Sequence, residues 1–102
     1  MSQAGTSNLA DIYQEGGFNT ASITSDLGPN EAYISQFDDF NTASISQIGD
    51  GNLADIFQQA GDNFAAVTQA GQGNTAMVTQ NTLGNMTSIN QTGNGNIANV
   101  TQ

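Results

Sequence analysis

Not one lysine, arginine or histidine occurs in the 102 residues, against nine aspartates and glutamates. A chain of formal charge −9 with no cationic side chain has nothing to offer a phosphate backbone, so nucleic-acid binding is excluded. Cysteine is absent as well, which removes disulfides and thiolate metal sites and leaves the redox compartment unread. Without His, Cys or Lys, no serine has an ordinary base to activate it. The adjacent carboxylates Asp38 and Asp39 lie in a turn and read as solvated, so no catalytic residue, cofactor or metal is assigned. No apolar run approaches the ~20 residues of a membrane-spanning helix, and membrane insertion is not expected. Met1-Ser2-Gln3 leads straight into the first repeat with no basic, apolar leader, so an exported form would have lost its leader.

What is present is a repeat. Asn63-Phe64-Ala65-Ala66-Val67-Thr68-Gln69 is followed by Ala70-Gly71-Gln72-Gly73, and Asn74 starts the same unit again. The anchoring asparagines are Asn8, Asn19, Asn30, Asn41, Asn52, Asn63, Asn74, Asn85 and Asn96, each 11 residues after the last. Two places after the anchor stands Ala, except at Thr87; four places after stands Ile or Val; six places after stands Gln, except at Ser25. A constraint of period two is that of a β-strand, whose alternate side chains face opposite ways. Asn, Ala, Ile/Val and Gln therefore point inward, and the variable residues between them point outward. The four columns before each anchor hold all twelve glycines and the single proline. Each unit thus reads as a strand of about seven residues and a four-residue turn.

Two strands make one rung. Residues 18–23 return identically as 40–45, a shift of 22, and 8–12 return as 52–56, a shift of 44. Strand n therefore stacks on strand n+2. The expected fold is all-β: a two-sheet parallel β-solenoid, 22 residues per rung, forming one domain over residues 1–102. Nine strands would divide five and four between the sheets. With one place then empty, neighbouring subunits of a fibre would be related by a half-turn about its axis.

The acids (Asp11, Glu15, Asp26, Glu31, Asp38, Asp39, Asp50, Asp55, Asp62) all precede residue 63, and none falls in an inward column. They read as a solvated surface, because calcium-binding solenoids place aspartate at a fixed repeat position and these are scattered. The aromatics fall in turns or outward columns and read as lateral packing. The inward amides have a physical task. In parallel in-register strands ~4.7–4.8 Å apart, each Asn or Gln can hydrogen-bond its copies above and below. Such ladders are open at both ends, and the last strand, Asn96 to Gln102, carries no charge or proline to blunt its edge. Repeated end rungs of this kind make a polymerisation unit. Its ladder residues are Gln3, Asn8, Gln14, Asn19, Asn30, Gln36, Asn41, Gln47, Asn52, Gln58, Asn63, Gln69, Asn74, Gln80, Asn85, Gln91, Asn96 and Gln102.

The recurring Q-x-G-x-x-N-x-A-x-[I/V]-x-Q, as in Gln69 to Gln80, resembles the curlin repeat, and the resemblance extends from Gln3 to Gln102. It implies a secreted subunit of curli, the functional amyloid fibres of bacterial biofilm. Such a subunit would be a homopolymer at the cell surface, served by a curli nucleator and a secretion channel. Both the major subunit and the nucleator fit the repeat. The chain departs from the pattern at Ser25 and where the turn glycine gives way to Leu27, Asp38, Ala60 and Thr82. By the resemblance, imperfect repeats of this sort slow assembly. The alternatives are an adhesin stalk or an ice-binding β-solenoid. The latter needs flat Thr-x-Thr ranks; Thr20-Ala21-Ser22 and Thr42-Ala43-Ser44 begin such a face, but Phe64 and Met86 break it.

Overall fold

The computed structural model describes residues 1–102 as ten strands. They are β1 (Ser2–Gln3), β2 (Leu9–Gln14), β3 (Thr20–Asp26), β4 (Glu31–Gln36) and β5 (Thr42–Asp50), followed by β6 (Leu53–Gln58), β7 (Phe64–Gln72), β8 (Thr75–Gln80), β9 (Met86–Thr92) and β10 (Ile97–Thr101). Successive strands alternate between two sheets, ordered β1-β3-β5-β7-β9 and β10-β8-β6-β4-β2, here the odd and the even sheet. Every pairing is parallel and joins residues 22 apart, as in Ile12↔Ile34↔Ile56↔Val78↔Val100. The result is a two-sheet parallel β-solenoid.

The alternation seen along each repeat becomes burial. Ile23, Ile34, Ile45, Ile56, Val67 and Val78 are at most 2% exposed, with Ala32, Ala43, Ala54, Ala65 and Ala76 packed beside them. Burying each Ile or Val stabilises by roughly 1.5–3 kcal/mol. β-Branched residues also suit an extended backbone, so propensity and burial favour the same state. The inward amides are buried too: Asn30, Asn41, Asn52, Asn63 and Asn74, and Gln36, Gln47, Gln58, Gln69 and Gln80, are at most 1% exposed.

Two expectations need correction. The sheets do not divide five and four. Ser2 and Gln3 continue the 11-residue phase backwards and pair with Thr24 and Ser25, giving the odd sheet a fifth strand. The half-turn between neighbours assumed a vacant place in that sheet, and it falls with the vacancy. Nor is every turn a four-residue break. β5 and β7 run on to Asp50 and Gln72, because Ile48-Gly49-Asp50 pairs in register with Ala70-Gly71-Gln72.

The turns form the two long edges of the stack. One edge, carrying the chain from the odd to the even sheet, holds residues 4–7, 26–29, 48–51, 70–73 and 92–95. The other, from even to odd, holds 15–18, 37–40, 59–62 and 81–84. Left-handed φ recurs three residues and one residue before the anchoring asparagine.

Candidate assembly interface

The glutamine column is a chain of amide-to-amide bonds along the stack axis. In the even sheet Gln14 Nε2 donates to Gln36 Oε1 at 2.7 Å, Gln36 to Gln58 at 2.9 Å, Gln58 to Gln80 at 2.9 Å, and Gln80 to Gln102 at 3.1 Å. In the odd sheet Gln47 donates to Gln69 at 3.0 Å and Gln69 to Gln91 at 2.9 Å. The second Nε2 hydrogen crosses the core. Gln36 reaches the Thr20 carbonyl at 3.0 Å, and Gln47, Gln58, Gln69, Gln80 and Gln91 make the equivalent bond to the carbonyl 16 residues earlier. One side chain thereby ties rung to rung and sheet to sheet. Inside so apolar a slot, an amide lacking either bond would be costly.

The asparagine column works differently. Asn Oδ1 accepts the backbone N–H of the next anchor: Asn8 from Asn30 at 3.1 Å, Asn19 from Asn41 at 2.9 Å, Asn41 from Asn63 at 3.1 Å, and Asn63 from Asn85 at 2.9 Å. The series Asn30, Asn52, Asn74 and Asn96 continues the other stack. Side-chain-to-side-chain bonds join only Asn52 to Asn30 and Asn74 to Asn52, both at 3.1 Å. Elsewhere Nδ2 holds carbonyls of the turn, as Asn30 does with Asp26 and Gly49. The anchor is therefore both ladder and turn lock.

One proposed ladder residue stands apart. Gln3 lies beside Ser25, where the repeat lacks its glutamine. The Ser25 hydroxyl donates instead to Gln47 Oε1 at 3.1 Å. Four further contributors went unread in the sequence. Thr87, in the alanine column, accepts from Gln80 at 3.1 Å and donates to Gln102 Oε1 at 2.6 Å. In the turns, Asp39, Asp50 and Asn94 each accept the backbone N–H of the residue one rung below: Gly17 at 2.6 Å, Gly28 at 3.0 Å and Gln72 at 3.1 Å. The available signal was a short acceptor two residues before an anchor.

The outer surfaces carry the remaining chemistry. Phe18 stacks on Phe40, with centroids 5.1 Å apart and planes 5° from parallel, while Phe37 sits between Tyr13 and Phe57 at 5.6 and 5.5 Å. These contacts follow the stack axis and join successive rungs of the one chain. Asp11, Tyr33 and Asp55 adjoin in successive strands, so the phenol separates the two carboxylates. Partial burial, the hydrogen bond from its hydroxyl to Glu31 and the surrounding carboxylates raise the Tyr33 pKa. Burial alone raises that of Asp55.

The profile described as Curlin associated repeat matches three overlapping stretches, residues 5–49, 39–71 and 49–81, together well over half of the chain. The chain belongs to the curlin family. That family consists of self-assembling, extracellular amyloid subunits with a structural role rather than an enzymatic one. In this curlin the matched repeats coincide with rungs of the solenoid. Comparisons with curated proteins and with solved structures returned no match.

Proposed function

We propose that this curlin is the structural subunit of an extracellular, curli-like fibre of bacterial biofilm and that it grows by end-to-end addition of strands. The observation that carries the reading is the one-way sense of both ladders. Glutamine amides of the ladders donate toward higher residue numbers, and the oxygens of the anchoring asparagines accept from that side. One end of the stack therefore presents unspent donors on Gln91 and Gln102 and acceptors on Asn85 and Asn96. The opposite end presents the Oε1 acceptors of Gln3 and Gln14, the terminal glutamines of the two sheets, and the backbone N–H of Asn8. Head meets tail with donors facing acceptors, a heterologous contact that repeats without closing. Incoming strands also cover the end rungs, whose inward Ala10, Ile12, Ala98 and Val100 are only partly buried.

On this reading the eighteen ladder residues act in polymerisation as well as in folding, and residues 1–102 behave as one domain. The partners are further copies of the chain, a curli nucleator and a secretion channel, and the location is the cell surface.

The test is growth of purified protein followed by thioflavin fluorescence and electron microscopy. Gln58→Ala with Gln80→Ala removes two successive members of one ladder and orphans buried amides at roughly 1–3 kcal/mol each, so growth should slow at least about tenfold. Thr68→Ala with Thr79→Ala, both on outer faces, should grow nearly as wild type. Equal rates for the two double variants would reject the ladders as the engine of assembly. A wild-type chain that stays monomeric would reject the fibre.

A further inference from the structure

The two broad outer faces of the solenoid differ in charge and relief. On the even sheet, Asp11, Glu31 and Asp55 stand among Leu9, Tyr33 and Met77. The three outward columns that run the full height of the odd sheet carry no charged side chain; its acids, Asp26 and Asp50, stand past them where β3 and β5 end. Their central column is Ser22, Ser44, Ala66 and Ser88, small and level from rung to rung. Relief is greatest in the column just after the asparagine, where Phe64 and Met86 are 38% and 75% exposed, and Ile48, 49% exposed, projects at the opposite margin. The column at the other side of the face, Thr24, Ser46, Thr68 and Asn90, is low.

We infer that filaments of this curlin pair laterally through the odd-sheet face, running in the same direction and related by a two-fold axis along the fibre. The inference rests on the fibre reading above. Charge selects the face. Two even-sheet faces pressed together would bury Asp11, Glu31 and Asp55 in the middle of the contact, and the chain has no cationic side chain to neutralise them. Two odd-sheet faces bring uncharged, small side chains into a flat contact of the steric-zipper kind. Shape selects the direction. A two-fold axis along the fibre lays the Phe64–Met86 ridge of one filament over the low Thr68–Asn90 column of the other. Reversing one filament would set ridge against ridge and hold the sheets apart.

Size explains why pairing waits for assembly. Four to five strands at ~4.8 Å spacing, each with about three outward-facing positions' length of backbone, offer a face on the order of 400 Å² per subunit. A stable interface needs about 800 Å² from each partner, so single subunits stay apart while filaments several subunits long associate. The contact is isologous, each face meeting a copy of itself.

The experiment compares wild type with Thr68→Glu on the odd face and Thr79→Glu on the even face, matched positions in neighbouring strands whose stacking neighbours carry no charge. Fibres of all three are imaged by cryo-electron microscopy after growth at equal rates is checked by thioflavin. Wild type and Thr79→Glu should give paired filaments of like polarity, joined at the odd-sheet faces. Thr68→Glu should give single filaments, because each subunit would bring an unpaired carboxylate into the contact. Paired Thr68→Glu filaments, antiparallel pairs, or pairs joined at the even face would each overturn the inference. Wild-type filaments that remain single would overturn the pairing and leave the fibre standing, whereas no filaments at all would remove both.

Discussion

The two edges of the solenoid perform the same reversal with different residues. On the odd-to-even edge, turns 48–51, 70–73 and 92–95 place glycine at both left-handed positions. On the even-to-odd edge the same sign of φ falls on Phe18, Asp38, Phe40, Ala60 and Asp62, at 58–81°. Stacking of the strands at 22-residue register thus imposes the turn geometry whether or not glycine is there to receive it. The two positions are not equivalent, however. One residue before the anchor, glycines Gly51, Gly73, Gly84 and Gly95 adopt φ of 64–73°, values the side-chain-bearing residues share. Three residues before it, Gly49, Gly71 and Gly93 open to 107–128°, beyond the left-handed helical region, and only Gly can follow. A Cβ on Gly49 or Gly71 would lie 2.0 Å from the carbonyl oxygen of the next rung's glycine. There the backbone approach, and not the turn alone, excludes a side chain.

The sharpest way to break this distinction is to add one methyl group at each position of a single turn. Gly71→Ala should destabilise by about 3 kcal/mol or more, since the neighbouring backbone carbonyl must move. Gly73→Ala, whose Cβ would meet nothing within 4 Å, should cost only about 1–2 kcal/mol of left-handed backbone. Chemical-denaturation midpoints of the assembled protein measure both, and equal losses would erase the difference between the positions.

A smaller effect of opposite sign belongs to the irregular edge. Ala60 holds φ of 81° without a glycine and without charge, so Ala60→Gly isolates backbone strain. It should stabilise by up to about 1 kcal/mol, the relief of strain being offset in part by added freedom of the unfolded chain. The denaturation midpoint should rise and the lag of fibre growth shorten. A lower midpoint would mean that the even-to-odd turn carries no strain at that residue.

The smallest effect separates strain from charge, because the irregular edge also bears Glu15, Asp38, Asp39 and Asp62. The carboxylate with a raised pKa, Asp55, lies away from both edges on the outer face of β6, and its cause is burial. A raised folded pKa means that the folded chain binds this proton more tightly than the unfolded one. Its penalty is full above the folded pKa and disappears as pH falls through that value to the ordinary carboxylate range. Stability should therefore rise modestly on acidification below neutrality, and Asp55→Asn should flatten that part of the profile. A profile unchanged by the substitution would remove Asp55 as the source of that rise.

Much of this was legible in the residues. An unbroken 11-residue phase, with period two inside it, leaves only an extended strand with one constant face. The 22-residue echoes leave only two strands per rung. What escaped was decided by contacts between units. β1 offers two residues, and its one inward side chain, Gln3, meets Ser25 where the repeat is broken, so no repeated signature announced a strand. The cross-core bond from each glutamine to the carbonyl 16 residues before it depends on how the sheets are offset. That offset is set by packing of the Ala and Ile columns, not by any one repeat. The asparagine ladder was expected from amide to amide; the main-chain N–H is closer and wins at most rungs. Thr87 read as a lapse in the alanine column, yet its hydroxyl joins Gln80 to Gln102.

The crowding of all nine acids ahead of residue 63 acquires a meaning at the scale of the fibre. Folded, they occupy the rungs of β2–β3, β4–β5 and β6–β7, while β8, β9 and β10 are bare of charge. Subunits added end to end at ~4.8 Å per rung would turn this imbalance into stripes, an anionic band of about 14 Å followed by a neutral band of about 10 Å. At physiological ionic strength the Debye length is ≈8 Å, so the potential sags within each neutral band instead of averaging out. A filament built in this way would be electrically a grating, with a repeat of one subunit, and mobile cations would gather around it in rings.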